Sequence, residues 1–323
     1  MFPNMKQRVG VVAMVVIGGL LYRHGVDAMR VAGGAEGASL LAADSPISAF
    51  GQLLSVTLAV VIMGSIVSAL GNPLAGVFAA ATALVVPAIV GGPIDEWLRI
   101  AAGASDYWTL AIEAGVWAVI ITAVAKVIVT TAERLQARLP EIWFDEVADE
   151  GDHNDESGLG WDVVTMVAKS VKMRPAVMQS TLAAASATII GLLPTAILMQ
   201  TSAVNQAGWS IFVSFIIAGV LAHQLFPSRN PIGILISPLL TAMIWYIYAA
   251  VTQDGSTSML SSYFTDHFVN GATALPIFYA SAGVAGAAMG IGWSQALIKA
   301  HLAEQKLAER REGESDSPEP QGA

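Results

Sequence analysis

The sequence predicts an all-α integral membrane protein of about eight transmembrane helices, arranged in two four-helix halves with both termini cytoplasmic. Three observations carry this prediction. Of 323 residues, 54% are hydrophobic and 13% charged, with a mean hydropathy of +0.61, which is more apolar surface than a soluble domain of this size buries. The stretch Glu141 to Asp162 holds nine acidic side chains and no Lys or Arg, and it divides the apolar runs into two sets. With both termini and that stretch in the cytoplasm, thirteen of the sixteen Lys and Arg lie inside and only Arg23, Arg30 and Arg99 outside, the asymmetry that fixes orientation in a bilayer.

The first membrane half covers residues 1–140, with spans at about 7–22, 49–70, 73–90 and 107–131. Span 1 is the shortest, so Lys6, Arg8 and Arg23 are expected to snorkel to the interfaces. The direct succession Tyr22, Arg23, His24 offers no small-residue cleavage site, and the segment reads as an uncleaved span. Gly25 to Ser48 mixes Gly, Ala and scattered charge and is expected to form an outer loop with one surface helix. The turn Gly71-Asn72-Pro73 opens span 3, because Pro fits a helix's first turn and Asn can cap it. Pro87 should kink that span before Gly91-Gly92-Pro93 ends it. Ile94, Trp97, Leu98 and Ala101 form one apolar face of a surface helix, and Ser105 or Asp106 should cap span 4. That span is expected to continue into water through AERLQARL.

Residues 141–160 form an acidic cytoplasmic linker. The second membrane half, 161–298, begins with an interfacial helix at 161–174, whose Lys169, Lys172 and Arg174 would meet anionic lipid headgroups. Spans follow at about 176–199, 208–226, 232–251 and 273–298, and residues 299–323 form a charged, partly disordered cytoplasmic tail. Two aromatic belts are expected: Trp97, Tyr107, Trp108, Trp209 and Tyr263 outside, with Trp143, Trp161, Phe226 and Trp293 inside. Asn72-Pro73-Leu74 and Asn230-Pro231-Ile232 open the third span of each half, and Ala114-Gly115-Val116 and Ala282-Gly283-Val284 sit in the fourth. Such matches fit a parallel internal repeat, and they also arise by chance in a chain rich in Ala, Gly and Val.

A net charge of -9, concentrated in loops and tail, argues against nucleic acid as a partner. The absence of cysteine excludes disulfides, thiolate metal sites and a Cys nucleophile. No metal or cofactor signature stands out, since the acidic linker lacks the glycine and glutamate positions of an EF-hand.

Glu113 is the ionisable group deepest in a span, where it needs a cavity or a partner; pairing with an Arg or a hydroxyl near the outer interface is the simpler outcome. His223, with Gln224, could relay protons or make an interfacial hydrogen bond. Gln52 and Thr195, with the breaks at Pro87, Pro194 and Pro238, could line a path. Gly286 and Gly290 form a GxxxG within a small-residue stripe, the mark of close helix packing within the chain or in a homo-oligomer. Ser294 with His301 is a weak nucleophile pair, because both lie on one helix.

These features lead to a multi-pass protein of the plasma (inner) membrane, with the lipid bilayer as its surroundings. Its expected function is that of a transporter or channel-like permease for a small solute or ion. A scaffold that uses its cytoplasmic linker and tail is the alternative, and an intramembrane enzyme the third reading.

Overall fold

A computed structural model describes residues 5–30, 38–41, 43–90, 104–138, 176–200, 203–227, 231–252 and 269–315. Among them the chain is helical, with one isolated bridge between Arg30 and Ala38 and no strand. The helices are α1 (Met5–Gly25), α2 (Pro46–Ala69), α3 (Leu74–Ala83), α4 (Val85–Val90), α5 (Ala104–Gln136), α6 (Ala176–Leu198), α7 (Val204–Leu225), α8 (Ile232–Thr252), α9 (Pro276–Phe278) and α10 (Val284–Ser315). A π-helical segment, Tyr279–Gly283, joins α9 to α10 without a break. Six of these helices (α1, α2, α5, α6, α7 and α8) are long and apolar enough to cross a bilayer. The chain is therefore a multi-pass α-helical membrane protein.

Side-chain size, more than polarity, separates the two faces of these helices. On α2, Leu54, Leu58, Ile62 and Ile66 are exposed at four-residue spacing while Ala49, Leu53, Thr57, Val60 and Gly64 are buried. On α7 the exposed stripe is Trp209, Val213, Ile217, Leu221 and Leu225, and the buried one includes Ala207, Ser214, Ala218, Gly219 and Ala222. Lipid is as apolar as leucine, so association rests on close van der Waals packing, and small residues turn inward.

The packing of the first helices recurs in the later ones. α1 packs on α2 and α3, and α6 packs on α7 and α8; α2 packs on α5, as α7 does on α10. The third helix of each set also packs on the fourth of the other, α8 on α5 and α3 on α10. α3 and the segment from Ala272 to Ile291 are thereby enclosed, with nearly every residue buried.

Several boundaries depart from the sequence expectation for physical reasons. The first helix is not short: it starts at Met5 and continues through a 3-10 turn to Met29, with Gln7 buried inside the bundle. Span 3 breaks at Leu84, three residues before Pro87, because the Pro ring presses on the carbonyl four residues back, that of Ala83, the last residue of α3. α5 starts at Ala104, so Ser105 and Asp106 lie in its first turn instead of capping it. At 33 residues α5 is about 50 Å long, so its last turns project beyond a hydrocarbon core of ~30 Å. α7 begins at Val204 and absorbs part of the expected polar turn, and the last helix begins at Pro276 after a 3-10 turn at Asn270–Thr273. The loop after α1 folds back onto the bundle, burying Ala38, Leu40 and Ala43. Tyr107 is fully buried and belongs to no belt, whereas Trp108, Trp209 and Trp293 are exposed. The acidic linker, the interfacial helix at 161–174, the surface helix near Trp97 and most of the tail lie outside the described residues, as do Tyr263, Trp143 and Trp161.

At one end of the bundle the α2–α3 turn is bonded from several directions. Asn72 Oδ1 accepts from the Leu74 amide (2.9 Å), and Ser68 Oγ donates to Pro73 O (2.7 Å) while accepting from the Gly76 amide (3.0 Å). Gln7 Nε2 donates to Val67 O and Asn72 O (3.3 and 3.1 Å), and Gln136 Nε2 to Ala69 O and Gly71 O (3.3 and 3.1 Å). Carbonyls freed at a helix C-terminus need such donors where water is scarce.

Candidate functional site

Glu113 sits at the opposite end, fully buried on the inward face of α5. Its carboxylate accepts four hydrogen bonds: from Ser39 Oγ, from the Leu40 amide (3.1 Å), from the Leu41 amide (3.2 Å) and from Trp117 Nε1 one turn along α5 (3.3 Å). No ion pair reaches it among the described residues. An ionised carboxylate is acceptor-only, and here every donor that faces it is met. The carboxylate therefore ties the loop to the bundle. Backbone bonds continue the tie, from the Ser39 amide to Met29 O (3.0 Å).

Below Glu113, between α1, α2, α3, α5 and α10, lies a cavity of about 20 Å³, room for one water molecule. Its wall includes Tyr22, Thr57, Ala81, Leu84, Trp117 and Val284. Tyr22 Oη and Thr57 Oγ1 are 3.2 Å apart and bonded to one another. Leu84, at the break between α3 and α4, lines this cavity, as does Val284, the first residue after the π-helical segment. In a π segment the backbone bonds reach one residue further than in an α-helix, an irregularity often found at functional positions.

The remaining candidates are dispersed. His223, buried on α7, lies toward the other end with Nδ1 2.9 Å from Ser294 Oγ of α10. Ser294 therefore meets His223 and not His301, whose ring bonds Gln305 (3.1 Å). Ser294 is wholly buried. Gln52 does not line an interior path: it is exposed, with Nε2 on His24 O (3.2 Å). Thr195 is buried but bonds within its own helix, to Gly191 O (2.5 Å), and is no part of the cavity wall. Gly286 and Gly290 face α7, where their nearest neighbours are backbone atoms of Phe212, Ile216, Gly219 and Val220.

Sequence reading missed Ser39, Trp117, Tyr22 and Thr57. Trp117 stands four residues from Glu113, an interval that places both on one helix face, and this signal was available. Ser39 lies 74 residues away in the chain, and no local pattern marks it. Comparison with known protein families, characterised proteins and solved structures gives no match. What fold and site define is the class alone, a multi-pass α-helical membrane protein with a buried carboxylate beside a small interior cavity.

Proposed function

We propose that the chain is a transporter or channel-like permease for a small solute or ion, in a closed arrangement. In this reading it spans the plasma (inner) membrane eight times, as two parallel-repeated four-helix halves with both termini cytoplasmic. One observation carries the proposal: the break at Leu84 and Val284, the residue that follows the π-helical segment, line the same cavity, between helices drawn from both sets. Irregular backbone inside a membrane is tolerated where it is enclosed by protein or lines a cavity, and transporters place their sites where such helices meet. The cross-packing of α3 on α10 and of α8 on α5 supports the two-half arrangement.

The absence of cysteine makes the test clean, since one introduced thiol reports alone. Ala81→Cys places it on the cavity wall, and Ala79→Cys, equally buried on α3 but off the wall, is the control. Small thiol reagents applied to sealed vesicles should modify the Ala81→Cys protein from at least one side and leave the Ala79→Cys protein untouched. Protection of both positions, from both sides, would refute a transport path here.

A further inference from the structure

We infer that Glu113 is a proton-binding site that links the outer loop to the cavity wall, so that taking up one proton loosens the hold between them. The inference rests on the transport reading for its purpose, though its geometry stands by itself. The four donors come from two places. Ser39 and the amides of Leu40 and Leu41 belong to the loop that covers this end of the bundle, and Trp117 belongs to the wall of the cavity. One carboxylate thus holds a cover and a wall in a single register.

Protonation changes the hydrogen-bond arithmetic. A carboxylate offers two oxygens that only accept; the acid carries an O–H that must donate, and that oxygen loses most of its accepting capacity. The two amides and the indole have only N–H to offer. The Ser39 hydroxyl alone can turn to accept, which reverses that bond, leaves the hydroxyl's own proton without this acceptor and weakens the acceptance from the Leu41 amide on the same oxygen. Buried groups left without partners are costly, and the least anchored element moves first. That element is the loop, whose backbone at 39–41 is tied to α5 by these bonds, beside the Ser39 amide on Met29 O and the burial of Ala38 and Leu40. The proton comes from the aqueous side bounding the loop, it adds to a carboxylate oxygen, and no other covalent bond forms or breaks.

Few other groups compete for the role. Tyr246 of α8 lies within electrostatic reach of Glu113, of Tyr107 on α5 and of Tyr279 in the π segment. All three are phenols, which carry no charge at neutral pH in their ordinary state. Tyr246 and Tyr279 donate to backbone, to Ala274 O and to Gly271 O (2.6 Å) respectively. On the loop side, Arg30 and Asp27 pair with one another at 3.1 Å, and Asp44 is exposed. α1, α2 and α3 bring no other charged side chain to the cavity wall.

Hydrogen exchange of the full-length protein in lipid nanodiscs tests this directly, because the Leu40 and Leu41 amides are themselves the donors. After correction for intrinsic exchange, their rate should rise several-fold as the outer solution is acidified. Glu113→Gln, whose amide mimics the acid by turning one oxygen into a donor, should exchange fast at every pH and lose the response. Trp117→Phe removes one donor and keeps the carboxylate, so its baseline should rise while the pH response stays. A wild-type rate that does not change with pH, or a Glu113→Gln protein that still responds as wild type does, overturns the inference; the first arm holds even if the variant fails to fold. Failure here leaves cavity labelling at position 81 unaffected, so the two readings fall separately.

Discussion

The seam between α7 and α10 allows a quantitative prediction. A Cβ on Gly290 would stand 2.9 Å from the Val220 amide nitrogen and 3.1 Å from Gly219 Cα, with Ile216 O nearer still. On Gly286 the Phe212 carbonyl carbon would be 3.1 Å away and the Ile216 nitrogen 3.3 Å, with Phe212 O nearer. These neighbours are backbone, which no rotamer change can move aside. Restoring ordinary contact means separating the helices by roughly 0.5–1 Å, and added methyl groups in tight interiors cost on the order of 1–3 kcal/mol. Gly286→Ala and Gly290→Ala should each lower the apparent midpoint of thermal unfolding in detergent. One displacement of α7 relieves both clashes, so the double variant should cost less than the two single changes added together. Gly51→Ala is the control, since a Cβ there meets nothing within 4 Å. If Gly286→Ala and Gly290→Ala are as stable as Gly51→Ala, the close packing of this seam is wrong.

Two further outcomes follow from the same geometry and from charge. Pro238 has no N–H, so Ile234 O loses its ordinary helical donor, and Ser237 Oγ replaces it at 2.7 Å. Ser237→Ala should therefore destabilise by about 0.5–1.5 kcal/mol, while Ser186→Ala, whose hydroxyl only doubles a helical bond to Ala183 O, should be near neutral in the same denaturation assay. Reporter domains fused after Val251 and after Ala323 should report opposite sides of the membrane, the first outside and the second in the cytoplasm; a common side would overturn the proposed orientation.

What the sequence made legible was set by one-dimensional signals. Long apolar runs at helical spacing located α2, α6 and α8 to within a few residues. Asn72 as a cap was readable because the bond it makes spans two residues. Glu113 stood out because a charge inside an apolar run is costly wherever it lies. Its partners did not, because Ser39, Leu40 and Leu41 reach it only after α1 and α2 bring the loop back across the bundle. Gln7, at the start of the first span, carried no signal of its role, because the carbonyls it meets on Val67 and Asn72 lie 60 or more residues along the chain. His223 was legible as a polar group needing a partner, but Ser294 as that partner depends on the close approach of α7 and α10 at their glycines.

The two enclosed segments, α3 and the stretch from Ala272 to Ile291, belong to the two helical runs that look least like membrane spans. α3 and α4 together run only from Leu74 to Val90 and are broken; α9 to α10 carries a π segment and ends in a charged extension. A helix with one side against lipid finds no water there, so it must be long, unbroken and clothed in large apolar side chains. A helix ringed by other helices is relieved of each requirement, because neighbours fill its grooves and supply partners for displaced backbone groups. Ser68, Gln7 and Gln136 do this at the start of α3. Length and regularity, and not apolarity, are therefore what the chain gives up toward the centre of this bundle, where irregular backbone is stable and a cavity can persist. The residues to which this structure gives the most chemistry, Glu113, Trp117, Tyr22 and Thr57, project inward from long, unbroken helices toward the shorter or irregular ones.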